Sequence, residues 1–199
     1  MKLNATSFPI AVLMLACSHD LPARYVIDHD LGGFVYRRYQ KTLDVEFAVE
    51  GNQATGYTAT YLRHGSGKTV AIATAFVTVY QRADSLTAEV RERLKALERY
   101  KLAVQEVGDG YAWTLDAGPS ERWALWVSGS HLVKLGAPPG ELIPDALAEA
   151  YMDMYPSDLD EHGYARSDAP SRGPSKAERK ESGEQEREMP KSLREHAPR

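Results

Sequence analysis

The chain reads as an α+β domain: an antiparallel sheet of about six or seven strands in a two-layer arrangement, with two helices on one face. Three observations predict it. Between Arg24 and Ser157, short segments rich in Val, Thr, Tyr and Trp recur between turn residues. The turns are short, Asp109-Gly110 being the strongest hairpin signal among them, so neighbouring strands pair as a meander. Two stretches of helical period, after Ser85 and after Pro144, punctuate the series and supply a covering layer.

The elements follow in order. Leu43 to Glu50 alternates apolar with mostly polar residues, the period of a half-buried strand, and Gly51-Asn52-Gln53 supplies a turn. Thr55 to Leu62 suits a second strand, and His64-Gly65-Ser66-Gly67 a second turn. Thr69 to Tyr80 is β-branched and apolar, hence a long central strand. Ser85 is placed to cap a helix over about 86–100, with Leu86, Val90, Leu94 and Leu97 on one face. Leu102–Val107 and Tyr111–Leu115 flank Asp109-Gly110; Arg122–Val127 and His131–Leu135 continue the meander beyond Gly118-Pro119. Pro144 fits the first turn of a second helix, with Leu147, Tyr151 and Met154 as its buried face and Pro156 as its stop. There is a loose internal echo: Gly56-Tyr57 and Gly110-Tyr111 each open a run of strands that ends in a helix.

Composition narrows the function classes. The 199 residues carry 24 Lys and Arg against 28 Asp and Glu, a net charge of -4 with pI near 5.9, which gives no nucleic-acid footprint. The single cysteine, Cys17, excludes an intramolecular disulfide and a cysteine-rich zinc site. No apolar run reaches the ~20 residues of a membrane-spanning helix. The core from Arg24 to Ser157 is long enough to bury roughly two-thirds of its unfolded surface.

The N-terminus has the layout of a secretory signal: Lys2 in a short polar start, an apolar stretch from Phe8 to Ala16, then Cys17-Ser18 and the polar break His19-Asp20-Leu21-Pro22. Met14-Leu15-Ala16-Cys17 resembles the lipobox of bacterial lipoproteins. The resemblance covers this segment alone, and it departs from the family pattern in having Met14 where Leu is preferred. It implies cleavage before Cys17, diacylglycerol on its thiol and an acyl chain on the new amino terminus. Acyl chains at ~0.8 kcal/mol per buried methylene would hold the protein on a membrane. Ser18 differs from the Asp that retains some family members at the inner membrane, so the outer membrane is favoured. The expected organisation is a signal peptide over 1–16, a lipidated linker over 17–23, the domain over 24–157 and a disordered charged tail over 158–199. From Ala165 on there is no aromatic residue, and only Met189 and Leu193 are large aliphatics. The alternative at the start is a buried N-terminal element with an ordinary core cysteine.

Motifs that carry chemistry are sparse. Gly65-Ser66-Gly67-Lys68-Thr69 looks like the end of a phosphate-binding loop, but Leu62 stands where the first Gly is needed and a strand follows where a helix is required. Asp28-His29-Asp30 groups possible metal ligands, with His19, His64 or His131 as further donors; a surface loop explains them as well. Ser128-Gly129-Ser130-His131 lacks the Gly-x-Ser-x-Gly elbow and reads as a turn. The acids of Leu43–Glu50 read as a solvated strand face rather than a general acid and base. Trp113, Trp123 and Trp126 with Tyr111 form the densest aromatic cluster. Trp123 and Trp126 have opposite strand parity, so both face inward only with a bulge; a partner-binding patch with one of them exposed is one reading, and covered core or sheet-edge aromatics are the favoured one. No catalytic set, no metal site and no cofactor are expected. The function expected is a non-enzymatic binding or assembly component of the cell envelope, with the membrane and an envelope protein as partners. The alternative is a periplasm-facing metal-dependent enzyme or a small-ligand-binding protein.

Overall fold

The structure is a computed structural model and describes residues 25–167 apart from 43, 66–67 and 119–120. Seven strands form one antiparallel sheet: β1 (Val35–Thr42), β2 (Ala54–Gly65), β3 (Lys68–Tyr80), β4 (Leu102–Val107), β5 (Gly110–Asp116), β6 (Arg122–Ser128) and β7 (His131–Gly136). Their spatial order is β1-β2-β3-β7-β6-β5-β4. Two meanders, β1 to β3 and β4 to β7, thus meet along a seam where β3 pairs with β7, and β1 and β4 are the two edges. Each meander is followed by a helix, α1 (Leu86–Leu94) or α2 (Asp145–Met154). The expected signal peptide, Cys17, the expected linker and residues 168–199 of the expected tail lie outside the described residues.

Strand β1 replaces the expected first strand. Residues 44–50 are not in a strand; Val49 makes only an isolated bridge to Asn52. Segment 44–48 instead crosses the sheet: Glu46 N–H donates to Thr78 Oγ1, and the Phe47 carbonyl accepts the Tyr80 hydroxyl. Gly56 makes room for it, since a Cβ there would stand 2.1 Å from the Asp44 carbonyl. Strand β1 hides its period because of a bulge. The register slips between Tyr36 and Arg38, so Tyr36 opposite Tyr61 and Tyr39 opposite Ala59 reach one face although they are three residues apart.

Turns and caps also differ in detail. The β4–β5 turn is Gly108-Asp109, with Gly108 at φ 56, and Gly110 already pairs with Val107. Gly110 is needed for close packing: a Cβ would come within 2.8 Å of Met152 Sδ. Ser85 occupies the N-cap position of α1 at φ 62 without a side-chain capping bond. The expected helix ends earlier, turning to 3-10 geometry over Lys95–Tyr100. Pro144 precedes α2 rather than opening its first turn. Leu147 and Tyr151 are buried as expected, but Met154 is 42% exposed. Tyr155 continues the Leu147–Tyr151 stripe at four-residue spacing and takes the buried place.

Residues paired across an antiparallel ladder share a face, which separates the two sides of the sheet. Tyr57, Ala59, Tyr61, Ala75, Val77, Val133, Leu135, Ala124 and Trp126 line the first face. It is covered by α2 and by residues 25–34. Trp126 Nε1 donates to the Tyr155 carbonyl at 2.7 Å, and the Tyr155 hydroxyl to the Tyr25 carbonyl at 2.9 Å. Most closely held is Ile27. Its N–H donates to the Tyr151 hydroxyl at 3.1 Å, and its carbonyl accepts the Tyr61 hydroxyl at 2.6 Å. The two hydroxyls lie 2.8 Å apart. Because the Tyr61 proton is engaged on Ile27, Tyr151 donates to Tyr61, and the three bonds close a ring through the N–H and carbonyl of one buried residue.

The second face carries Thr78, Tyr80, Lys134, Trp123, Leu125, Trp113 and Val104. Segment 44–48 lies on it, with Glu46 paired to Lys134 at 2.6 Å. So do residues 158–167: Gly163 sits against Trp113 and Val104, and Leu159 is buried. Helix α1 is tied to both segments, Arg93 donating to the Ala48 carbonyl and Arg91 stacking on Tyr164 at 3.8 Å. The helices are therefore divided between the faces, which corrects the expectation that both lie on one. The folded unit also runs past the expected boundary at Ser157, because Asp158 N–H bonds the Val127 carbonyl and Leu159 bridges Ala165.

Candidate functional site

Beside the edge strand β4, a groove of about 550 Å³ opens between the outer strands and residues 142–149. The sheet supplies Gln105 from β4, Thr114 and Asp116 from β5, and Arg122 and Trp123 from β6. The far wall is Leu142, Ile143, Asp145, Ala148 and Glu149, where the chain enters α2. Asp145 and Glu149 are four apart on a helix and so project together.

The lip is held in place by two arginines. Glu141 takes Arg63 on its carboxylate, with Nη2 at 2.6 and 2.7 Å from the two oxygens. Its carbonyl accepts Arg122 at 3.3 Å. Arg63 in turn lies over the Phe34 ring at 5.1 Å, and Arg122 Nε donates to Asp116 Oδ1 at 2.9 Å. That bond from Arg122 holds the Asp116 carboxyl below its usual range. The latch presents Leu142 with 76% of its surface open, the most exposed large hydrophobic residue named among those described. The groove lining also includes Glu106, Asp145, Glu149 and Lys101. An apolar lip with an acidic lining suits a segment that brings an aliphatic side chain and a cation together.

The residues singled out in the sequence lie elsewhere or play other parts. Trp123 is 6% exposed and Trp126 0%, so neither forms an exposed patch. Their opposite parity does put them on opposite faces, but β6 is covered on both. Trp126 packs under α2, and Trp123 lies below Lys134, whose Nζ is 5.2 Å from its ring. Trp123 reaches the groove only as part of its lining.

The proposed metal donors are not assembled. Asp28, His29 and Asp30 are exposed, Asp30 accepting the Tyr36 N–H at 2.8 Å. His131 is buried between Tyr155 and Tyr25, with ring centroids at 4.9 and 6.1 Å. His64 is exposed near the end of β2, and His19 lies outside the described residues. Among the described residues no group of three or more His, Cys, Asp or Glu is placed to hold a metal ion. Ser128 to His131 is the β6–β7 hairpin, with Gly129 at φ 58 and His131 Nδ1 3.2 Å from the Ser128 carbonyl. Gly65 pairs with Lys68 across the β2–β3 connection, so the phosphate-loop fragment is a hairpin; Ser66 and Gly67 themselves lie outside the described residues. Glu46, read as a solvated acid, is instead half-buried against Lys134.

No protein-family model, curated protein or solved structure matches the chain.

Proposed function

We propose that this chain is an exported lipoprotein, held on a membrane by lipid on Cys17, and that its domain is a non-enzymatic binding or assembly component of the cell envelope. The outer membrane is favoured over the inner. The observation that carries the reading is the sequence Met14-Leu15-Ala16-Cys17 at the end of the N-terminal apolar stretch, with the chain's only cysteine at the point of cleavage. The surface proposed for the envelope partner is the groove beside β4. Leu142 gives it an apolar anchor point, and β4 is an edge of the sheet among the described residues, where an extended chain could add a strand. No helix among the described residues is long and apolar enough to cross a membrane. A small-ligand-binding reading draws on the same groove, whose volume is in the range of ligand pockets, ~300–1,000 Å³. The metal-dependent enzyme reading gains nothing from the separate placement of His29 and His131.

The test is detergent phase partitioning of the chain expressed in a Gram-negative host, beside Cys17→Ala, with the mass of the mature N-terminus. Wild type is expected in the detergent phase with acyl chains on Cys17, and the variant in the aqueous phase. Both proteins aqueous with residues 1–16 retained would overturn the proposal.

A further inference from the structure

We propose that strand β4 is the pairing edge for a second copy of this chain: two β4 strands join antiparallel about a two-fold axis at Val104 and make one continuous sheet. The inference goes beyond the proposed function and does not depend on the lipid anchor.

The two edges of the sheet are built differently. An edge strand offers backbone groups to any passing chain, and natural edges are blunted by bulges, prolines or cations. Strand β1 carries two of these devices, the register slip between Tyr36 and Arg38 and the exposed Arg37, Arg38 and Lys41. Strand β4 carries none of them. Its register runs unbroken from Leu102 opposite Leu115 to Val107 opposite Gly110, and Leu102–Val107 holds no Pro, Lys or Arg.

The register also fixes which backbone groups face outward. Val107 and Gly110 flank a two-residue turn and so form a hydrogen-bonded pair. Such pairs alternate along a ladder. Val107, Gln105 and Ala103 therefore turn their N–H and carbonyl groups to β5, and Glu106, Val104 and Leu102 turn theirs away from the sheet. Two antiparallel copies use all of the outward groups in one register, with Val104 opposite Val104 and Leu102 opposite Glu106.

Side chains suit that register. Val104 meets its own copy on the axis as a β-branched pair, and Ala103 lies opposite the longer Gln105. Just beyond the ladder, Lys101 of one copy comes level with Val107 of the other, beside the turn at Gly108. Glu149 stands over that turn, since a Cβ on Gly108 would lie 3.5 Å from the Glu149 Cα. Within one copy Lys101 is at the far end of β4, and no ion pair among the described residues takes Lys101, Glu106 or Glu149. Reversing the strand direction brings the cation of each copy to the carboxylates of the other, once on either side of the axis.

The axis stands perpendicular to the sheet, so the first faces of both copies, and both grooves, lie on one side. Residues 25–34 cover that face, Ile27 held by Tyr61 and Tyr151. The two chains thus enter the joined sheet from the same side, as two chains held in one membrane must. A partner that binds at Leu142 meets two copies of the lip, whereas one that adds a strand to β4 has to part the pair.

The test uses the full chain carrying Cys17→Ser. One strand and two ion pairs make a small interface, so sedimentation velocity is expected to show dimer at about 100 µM and monomer at about 1 µM. Glu106→Pro removes an outward N–H while leaving the bonds to β5 in place, and is expected to be monomeric throughout. Lys101→Glu is expected to weaken association about tenfold, and adding Glu149→Lys to restore it. Register is read by crosslinking under mild oxidation. A mixture of Ala103→Cys and Gln105→Cys chains is expected to form disulfide dimers at least about tenfold faster than either chain alone, because the two positions face each other across the axis. Monomer at every concentration, a dimer that Glu106→Pro leaves intact, or equal crosslinking in the mixture and in the single variants would overturn the proposal. A chain that stays aqueous in detergent partitioning would leave these results untouched, and a monomer would leave the lipid anchor standing.

Discussion

Replacing Tyr151 by Phe removes one oxygen from the ring of bonds around Ile27 and leaves the aromatic volume in place. The Ile27 N–H, enclosed between the sheet and α2, then loses its acceptor, and the Tyr61 oxygen loses its donor. A buried donor left without a partner costs about 1–3 kcal/mol. No cavity is added, so the expected loss is about 2 kcal/mol, and the midpoint of thermal unfolding should fall by about 8 °C for a domain of this size. Tyr61→Phe should cost a similar amount, because it strips the Ile27 carbonyl of its donor. The double variant should lose about 1 kcal/mol less than the two single losses added together, since the bond between the hydroxyls is counted in both. Urea unfolding followed by tryptophan fluorescence measures all three, with an unchanged m-value as the sign that the native contacts alone were altered. A loss below about 0.5 kcal/mol in each single variant, or strict additivity, would refute the closed ring.

Two further outcomes follow from the packing. Burial pushes the Tyr61 and Tyr80 hydroxyls up to about 12 and Tyr151 well above its ordinary value of 10.0. A folded pKa above the unfolded one means that the protonated form is favoured by folding; the stability this supplies is complete below pH 10 and is lost as pH rises from 10 towards 12. Denaturation midpoints across that window should fall more steeply for wild type than for the Tyr61→Phe, Tyr151→Phe double variant, and parallel curves would contradict the assignment. Gly163→Ala should free the last described segment, because its backbone is at φ +74 and a Cβ would stand 2.5 Å from Trp113 Nε1. Overpacking of this kind costs about 1–3 kcal/mol, and trypsin cleavage after Arg166 should accelerate. Gly129→Ala, also at positive φ but with no atom near the added Cβ, is the control and should leave that cleavage unchanged.

Much of the sheet could be read from sequence because strands β2 to β7 carry their own turns. β1 could not, since the bulge at Arg37 breaks its period and brings Tyr36 and Tyr39 to one face. Residues 44–50 show a strand's alternation without forming one, because Phe47 and Val49 pack across a covered face rather than into a ladder. The tryptophans illustrate a different limit. Parity correctly separates Trp123 from Trp126, but the unbroken run Trp123-Ala124-Leu125-Trp126-Val127 was itself the signal of a strand buried on both sides. The groove has no sequence signature, because Arg63, Arg122 and Glu141 meet only through the fold.

The seam between β3 and β7 also governs how the chain reaches this arrangement. Every other strand pairing joins neighbours in sequence, and each can form as a local hairpin. Pairing β3 with β7 closes a loop of roughly 50 residues, which costs about 2 kcal/mol more chain entropy than a four-residue turn. The two meanders can thus form early and separately, whereas their union is the non-local step that sets the pace. Val77 opposite Val133 and Ala75 opposite Leu135 sit on that seam. The hairpins are already formed when the seam closes, so weakening either the seam or a hairpin should slow refolding.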